Sequence, residues 1–349
     1  MKKVHFLAPV AALATVAAVA VSLAGTGAAA PSKQHAGYSA GLVSDVGRFN
    51  DKGFNQNQLT GLKFAKSHIP GLTTTALESH SVGDYLPNFA SLARKGVNII
   101  IGAGFLLANQ EATVAKQFPN TKFAITDYTA HIPPFADKKG NPLVKNVEGL
   151  TYATQENSYL VGCIAGSMAK IKGGSQTIGV VGGLKIPPVD AFLAGYQAGA
   201  KKCNPAIKVL IGYSQDFIDP AKCKTVAQNQ IDQGSQVEFN VAGPCGLGTL
   251  DAAKGAGIWG IGVDVDQSYL GSHILTSAVK RVDRGVYLAI KGAQNGQFAG
   301  GSDLVFNLKN QGVALGKISP NVPASVLKTV AGLRAQIVAG TLKPPTAVK

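Results

Sequence analysis

From residue 39 onward, short β-branched apolar runs alternate with amphipathic stretches, and this alternation limits the possible folds more than any other feature of the chain. SAGLVS, LTTTAL, VNIIIG and KFAIT read as strands by their length and β-branched content. Between them, 54–67, 84–95 and 107–117 carry helical spacing, with Phe54, Leu59, Leu62 and Phe64 marking the first. Strand and helix in strict succession imply a parallel sheet with right-handed crossovers, an α/β class protein. After the loop HIPPFADKKGNP the pattern resumes: helix 156–170, QTIGVVGG, helix 189–202, KVLIGYS, helix 219–233, QVEFNVAG, helix 246–254 and IWGIGVD. Two doubly wound parallel-sheet domains are therefore expected. A chain of 349 residues, 46% hydrophobic and only 15% charged, has the length and the apolar content for both. Residues 272–279 are expected to cross back, with helix 281–294 and the β-type runs near 303–315 completing the first unit. The expected lobes are 37–150 plus 278–325 (N-terminal) and 151–277 (C-terminal).

The first residues speak to compartment. Lys2 and Lys3, then an apolar stretch, then Ala28-Ala29-Ala30 with small residues at the cleavage positions, read as a signal peptide over 1–30. A retained anchor is the alternative; the Ala/Gly-rich end and the lack of stop-transfer charge disfavour it. No Cys follows LAGTG to carry a lipid. Net charge is +14, or +12 with Lys2 and Lys3 set aside, and the basic residues are scattered in runs no longer than two. Scattered charge reads as a solvated surface rather than a nucleic-acid track, so no nucleic-acid partner is expected. Cys163, Cys203, Cys223 and Cys245 form an even set in an exported chain, which implies two disulfides with three connectivities open. No C-x-x-C occurs and the six His show no ligand spacing, so neither metal nor cofactor is expected.

Two catalytic or nucleotide signatures occur in letter only, and a third is a near miss. Gly37-Tyr38-Ser39-Ala40-Gly41 matches G-x-S-x-G, but it precedes the first strand instead of following one. Gly255 to Gly260 matches G-x-G-x-x-G, yet runs from a helix into a strand, the reverse of a dinucleotide loop. Gly312 to Lys317 is one residue short for a P-loop and has Ile318 where a hydroxyl is needed.

The informative residues close the apolar runs, because open α/β sheets bind ligands outside the carboxyl ends of their strands. Asp45 follows AGLVS, Asp127 follows KFAIT and Asp264 follows IWGIGV. A lone Asp there is as often a helix cap, and Asp219 before Pro220 reads so. Three together read as a set of acceptors. Phe54 in DVGRFNDKGFNQ and Phe217 in YSQDFIDP stand in corresponding turns of the two units, where two rings would clamp a flat solute. Carboxylates accept from ring N–H groups and sugar hydroxyls, and Lys280 donates. Three carboxylates would repel a phosphate, so the set suits a nucleoside better than a nucleotide. Asp264, read as facing a wet cleft, is expected to matter little to stability.

The segments DVGRFNDKGFNQ, ITD at 125–127, IPPVDAFLAGYQAGAKK, DFIDPAKCKTVAQNQIDQGSQVEFNVAG, GIGVDVDQ and ILTSAVKRVD resemble the basic membrane protein family of solute-binding proteins, which includes the purine nucleoside receptors of ABC importers. They span residues 40 to about 295. The resemblance implies a type I periplasmic-binding-protein fold, two lobes joined by three crossovers and closing on ligand. It implies a base stacked between Phe54 and Phe217, with edge and ribose contacts on Asp45, Asp127, Gly243, Asp264 and Lys280, and Asn55 beside them. It also implies no enzymatic activity, a small-molecule nucleoside and an ABC permease as partners, and a place in the periplasm or at the cell surface. Membrane association would then come only through the permease or a retained N-terminus. The chain departs from the family pattern in three places. DKGFN stands for DKSFN, which is expected to loosen the helix start. AGPCG stands for an AGGTG-like turn, with Pro244 removing a donor and Cys245 expected to bridge Cys223, and Cys163 to Cys203. The customary lipidated Cys is missing. The competing readings are a same-fold receptor for a sugar or modified base, an exported nucleoside hydrolase, and a transcription regulator, which the leader and the lack of a helix-turn-helix disfavour.

Overall fold

The computed structural model describes residues 37–348; the leader expected over 1–30 lies outside them. The first sheet is built from β1 (Ser39–Ser44), β2 (Thr73–Leu77), β3 (Ile99–Ala103), β4 (Lys122–Thr126) and β5 (Val147–Tyr152). The second takes β6 (Thr177–Gly182), β7 (Lys208–Tyr213), β8 (Ser235–Val241), β9 (Trp259–Asp264) and β10 (Ile274–Lys280), and two short strands follow, β11 (Asp303–Phe306) and β12 (Val313–Leu315). The sheet orders are β11-β5-β4-β3-β1-β2 and β12-β10-β9-β8-β6-β7, every pairing parallel except β10 with β12. Strands such as IIIGA and TIGVVG are buried along their whole length, as parallel strands covered on both faces must be. Each sheet reverses its winding between its first strand and the strand after next, which opens a crevice at those strands' carboxyl ends.

The helices of the first lobe are α1 (Phe54–His68), α2 (Tyr85–Arg94) and α3 (Ala108–Gln117); those of the second are α4 (Thr154–Lys172), α5 (Pro187–Cys203), α6 (Pro220–Asp232) and α7 (Gly246–Gly255). α8 (Val282–Gln294) returns to the first lobe, where Val286 and Ile290 join the core of Leu42 and Ile101. α9 (Ala324–Val338) buries Val326, Val330, Leu333 and Ile337 in the core of the second. α4 and α5 lie unusually close. Gly166 allows it, since a Cβ there would come within 2.7 Å of the Ala200 carbonyl.

The lobe boundaries differ from the sequence expectation. Residues 274–280 form a full strand of the second sheet, so the chain crosses at Arg281 rather than over 272–279. The runs near 303–315 divide: β11 completes the first sheet, while β12 and everything after it belong to the second lobe. A third strand-to-strand passage, 307–312, results. β5 and α9 were not read as elements from the sequence.

The disulfides are Cys163–Cys203, tying α4 to the end of α5, and Cys223–Cys245, tying α6 to the turn after β8, which is the expected pairing. The second closes a loop of 22 residues, a constraint on the unfolded chain worth about 3 kcal/mol. The Cys223→Ser/Cys245→Ser variant should therefore melt several degrees lower than the parent, and reductant should bring the parent down toward it. Equal melting of the two oxidised proteins would show that the bridge adds no stability.

Candidate functional site

The turn after β1 is organised by two carboxylates. Asp51 accepts from the backbone N–H groups of Gly53 (3.0 Å), Asn55 (2.7 Å) and Gln56 (2.9 Å), so it caps α1 from three residues ahead of Phe54. The Gly53 substitution, expected to loosen this start, is thereby offset: the Asp51 carboxylate does the work a Ser hydroxyl would do. Asn55 donates its amide to Asp45 Oδ1 at 2.7 Å and to Asp51 Oδ2 at 3.2 Å, leaving its own buried Oδ1 without a partner. Asp45 Oδ1 also accepts from Gly47 N at 2.8 Å. Burial pushes the Asp45 carboxyl up to about 6, against the pull of those two bonds and with a push from Asp51 and Asp127. Phe54 lies against Gly104, whose φ of +126° admits no ordinary side chain and where a Cβ would stand 3.1 Å from the ring.

The opposite wall comes from the second lobe. Phe217 packs flat on the backbone of Gly183, where any Cβ would overlap the ring, and its carbonyl accepts from Cys245 N at 3.0 Å. Its turn is pinned by Asp216, which accepts from Ile218 N (2.6 Å), Asp219 N (2.9 Å) and Lys222 Nζ (2.7 Å). Burial pushes the Asp216 carboxyl up, but the Lys222 ammonium and those N–H groups outweigh it and hold the group at about 2. Asp219 caps α6 through Ala221 N at 2.9 Å.

Between the walls sit the strand-end charges. Asp127 and Asp264 both hold left-handed backbone, at φ 65° and 62°, a conformation Asp tolerates better than most residues and one that turns each side chain off its strand toward the crevice. Lys280, at the end of β10, pairs with Asp127; the two side chains are 3% and 9% exposed. Its ammonium also lies 4.9 Å from the Phe54 ring centre, 5.4 Å from Tyr152 and 5.6 Å from Phe192. Asp264 is 6% exposed and accepts no hydrogen bond among the described residues. Burial pushes its carboxyl up to about 7, with Lys280 opposing and Asp127 and Asp51 adding to the rise. Asp264 is thus a largely buried acid, less wet than the sequence expectation had it.

All eight residues singled out in the sequence, Asp45, Phe54, Asn55, Asp127, Phe217, Gly243, Asp264 and Lys280, line one cavity of about 80 Å³ between the lobes. Asp51, Phe105, Ile186, Val189 and Phe192 also line it and were missed. Asp51 stands four residues before Asn55, the spacing of a side chain that reaches forward to a helix start, and IPPVDAF offers an apolar first turn; both signals are local and readable. The arrangement provides flat apolar faces, acidic acceptors and one ammonium. Among the described residues no group of three or more His, Cys, Asp or Glu is disposed to hold a metal ion.

Two α/β lobes with a desolvated cleft at their facing strand ends define a two-lobed binding protein for a small molecule. The family model described as ABC transporter substrate-binding protein PnrA-like matches residues 39–346, and the chain belongs to this Bmp family. It is 32% identical over 367 residues to the ABC transporter nucleoside-binding protein BmpA of Lactococcus lactis subsp. cremoris, covering 99% of this chain and 100% of that one. It is 33% identical over 301 residues to basic membrane protein A1 of Borrelia garinii subsp. bavariensis, covering 85% of each. Among solved structures it is similar to an ABC transporter system solute-binding protein from Aeropyrum pernix, with a TM-score of 0.78 and 26% identity over 89% of this chain and 94% of that one. Members of the family are substrate-binding proteins, not enzymes.

Proposed function

We propose that the protein is an extracytoplasmic receptor that binds a nucleoside, a purine nucleoside first, in the cleft and delivers it to an ABC permease. One observation carries this reading: Phe54 and Phe217 line opposite walls of a single cavity whose polar lining includes the acceptors Asp45, Asp127 and Asp264 and the donor Lys280. Stacking on two rings supplies affinity without demanding a particular base, at ~1–3 kcal/mol per contact, and the carboxylates read N–H and hydroxyl edges. The negative balance of the cavity disfavours a phosphate ester. The relative named as nucleoside-binding supports the same ligand class. Closure of the lobes excludes water, and tighter binding to the closed form drives the motion.

The test is a melting series with inosine, guanosine, cytidine and free sugars. A saturating nucleoside, at about a hundred times its Kd, should stabilise by about 2.7 kcal/mol and raise Tm by several degrees. Phe54→Ala and Phe217→Ala should each weaken that ligand by ~10- to 100-fold. A shift with sugars alone would replace the nucleoside with a carbohydrate ligand, and release of free base on incubation would make the protein a hydrolase.

Affinity should also depend on pH in a set direction. A purine N–H needs the ionised form of Asp264, which in the empty protein is complete only above about 7. Kd should be constant above that pH and rise by roughly tenfold per unit below it. A Kd flat from pH 5 to 8 would remove Asp264 from the ligand's contacts.

A further inference from the structure

The lysines that look scattered in the sequence are gathered by the fold at the end of the second lobe away from the cleft. α4 and α5 both run away from the cleft, and their last turns carry Lys170 and Lys172, and Lys201 and Lys202. Lys208, exposed at the start of β7, and Lys328, exposed on α9, add to them. The carboxylates of α4 and α5, Glu156 and Asp190, lie in the first turns of those helices, at the opposite end. α9 carries none. None of these lysines pairs with a carboxylate among the described residues.

A groove of about 380 Å³ opens in this face, between the ends of α4 and α5 and the start of α9. Lys170 and Lys202 stand on its walls, Ser325 and Thr329 on its rim, and the buried Val326 and Leu333 form an apolar floor. Ile171 also lines it and is 60% exposed, flanked in sequence by two exposed lysines. Two unpaired ammonium groups on an apolar slot, with further lysines in the same last turns and a protruding aliphatic side chain, match a surface that is anionic at its headgroups and apolar just below.

We infer that this face docks on an anionic phospholipid surface. All four cysteines of the chain are in disulfides. Among the described residues no helix is long and apolar enough to cross a membrane. Because the face lies at the far ends of α4 and α5 from the cleft, lipid contact leaves the ligand cavity open. A lysine near an anionic bilayer strengthens binding roughly fivefold, and the effect fades within a Debye length of about 8 Å at physiological salt.

Full-length protein should be sedimented with phosphatidylcholine vesicles and with mixed phosphatidylglycerol–phosphatidylcholine vesicles, for the parent, for Lys170→Gln/Lys172→Gln/Lys202→Gln, and for Lys63→Gln/Lys66→Gln/Lys95→Gln as a control of equal charge change on the first lobe. The inference expects the parent to prefer the anionic vesicles, with about a hundredfold loss of that preference in the first variant and little loss in the second. Ile171→Gln should weaken binding a few-fold at unchanged charge. Equal losses in the two triple variants would reduce the effect to net charge and overturn the assignment. So would a parent with no lipid-charge preference, or one whose preference is abolished by soluble polyphosphate at an ionic strength that leaves vesicle binding otherwise intact, which would make the face a polyanion site. Unchanged melting of the exposed-lysine variants verifies that they fold.

Discussion

Asp264→Asn should lose nucleoside affinity by at least about a hundredfold and at the same time melt higher than the parent at pH 8 when both are empty. The two effects have one cause. Asp264 is buried without a hydrogen-bond donor, and its carboxyl is pushed from 3.8 up to about 7. An acid raised in the fold holds its proton longer than it does in the unfolded chain, so stability falls as pH climbs from the unfolded value to the folded one, and the full cost is present above about 7. The shift sets a ceiling of roughly 4 kcal/mol on that cost. The amide keeps the shape and carries no charge, so it removes the cost, but it places an NH₂ where the ligand needs an acceptor. At pH 4 the parent and the variant should melt together. A variant that melts lower than the parent at pH 8 would show that Asp264 holds the lobe together instead of being held there for the ligand.

Lys280→Ala should cost the empty protein about 3–5 kcal/mol, the range for removing one partner of a buried pair. Asp127 would be left among Asp45 and Asp264 with no cation, and the three rings around the ammonium would close on a void. Asp127→Asn in the same chain should recover most of the loss, since the two sites share one interaction. A single variant that melts with the parent at every pH would mean that the pair is solvated and carries no coupling.

The sequence made the α/β alternation legible because β-branched runs and amphipathic stretches are local patterns, and the strand-end carboxylates followed from the rule for open sheets. What it hid depends on distant partners. VEGLTY (β5) reads as polar because of Glu148, but that side chain is buried in the fold, and burial pushes its carboxyl up to about 7. β12 is placed by antiparallel pairing with β10, and nothing within Val313–Leu315 announces which sheet it joins. α9 is a different case: Val326, Val330, Leu333 and Ile337 have helical spacing, and the signal was present. In the cleft, the aromatic and acidic members stood out as residue types at strand ends. Asp51 closes no apolar run, and its signal is the local one of a carboxylate a few residues ahead of a helix start.

The division of the last fifty residues between the lobes sets the order in which the molecule can be assembled. The first sheet lacks its edge strand until Asp303–Phe306 has been made, and the core under α1 lacks α8; the second lacks its own edge until Val313–Leu315 and has no α9 against α4 until later still. A nascent chain that has just passed residue 152 therefore exposes an unpaired strand and an open apolar layer. Each sheet gains its last strand only after α8, and the two edge strands are separated by 307–312 alone.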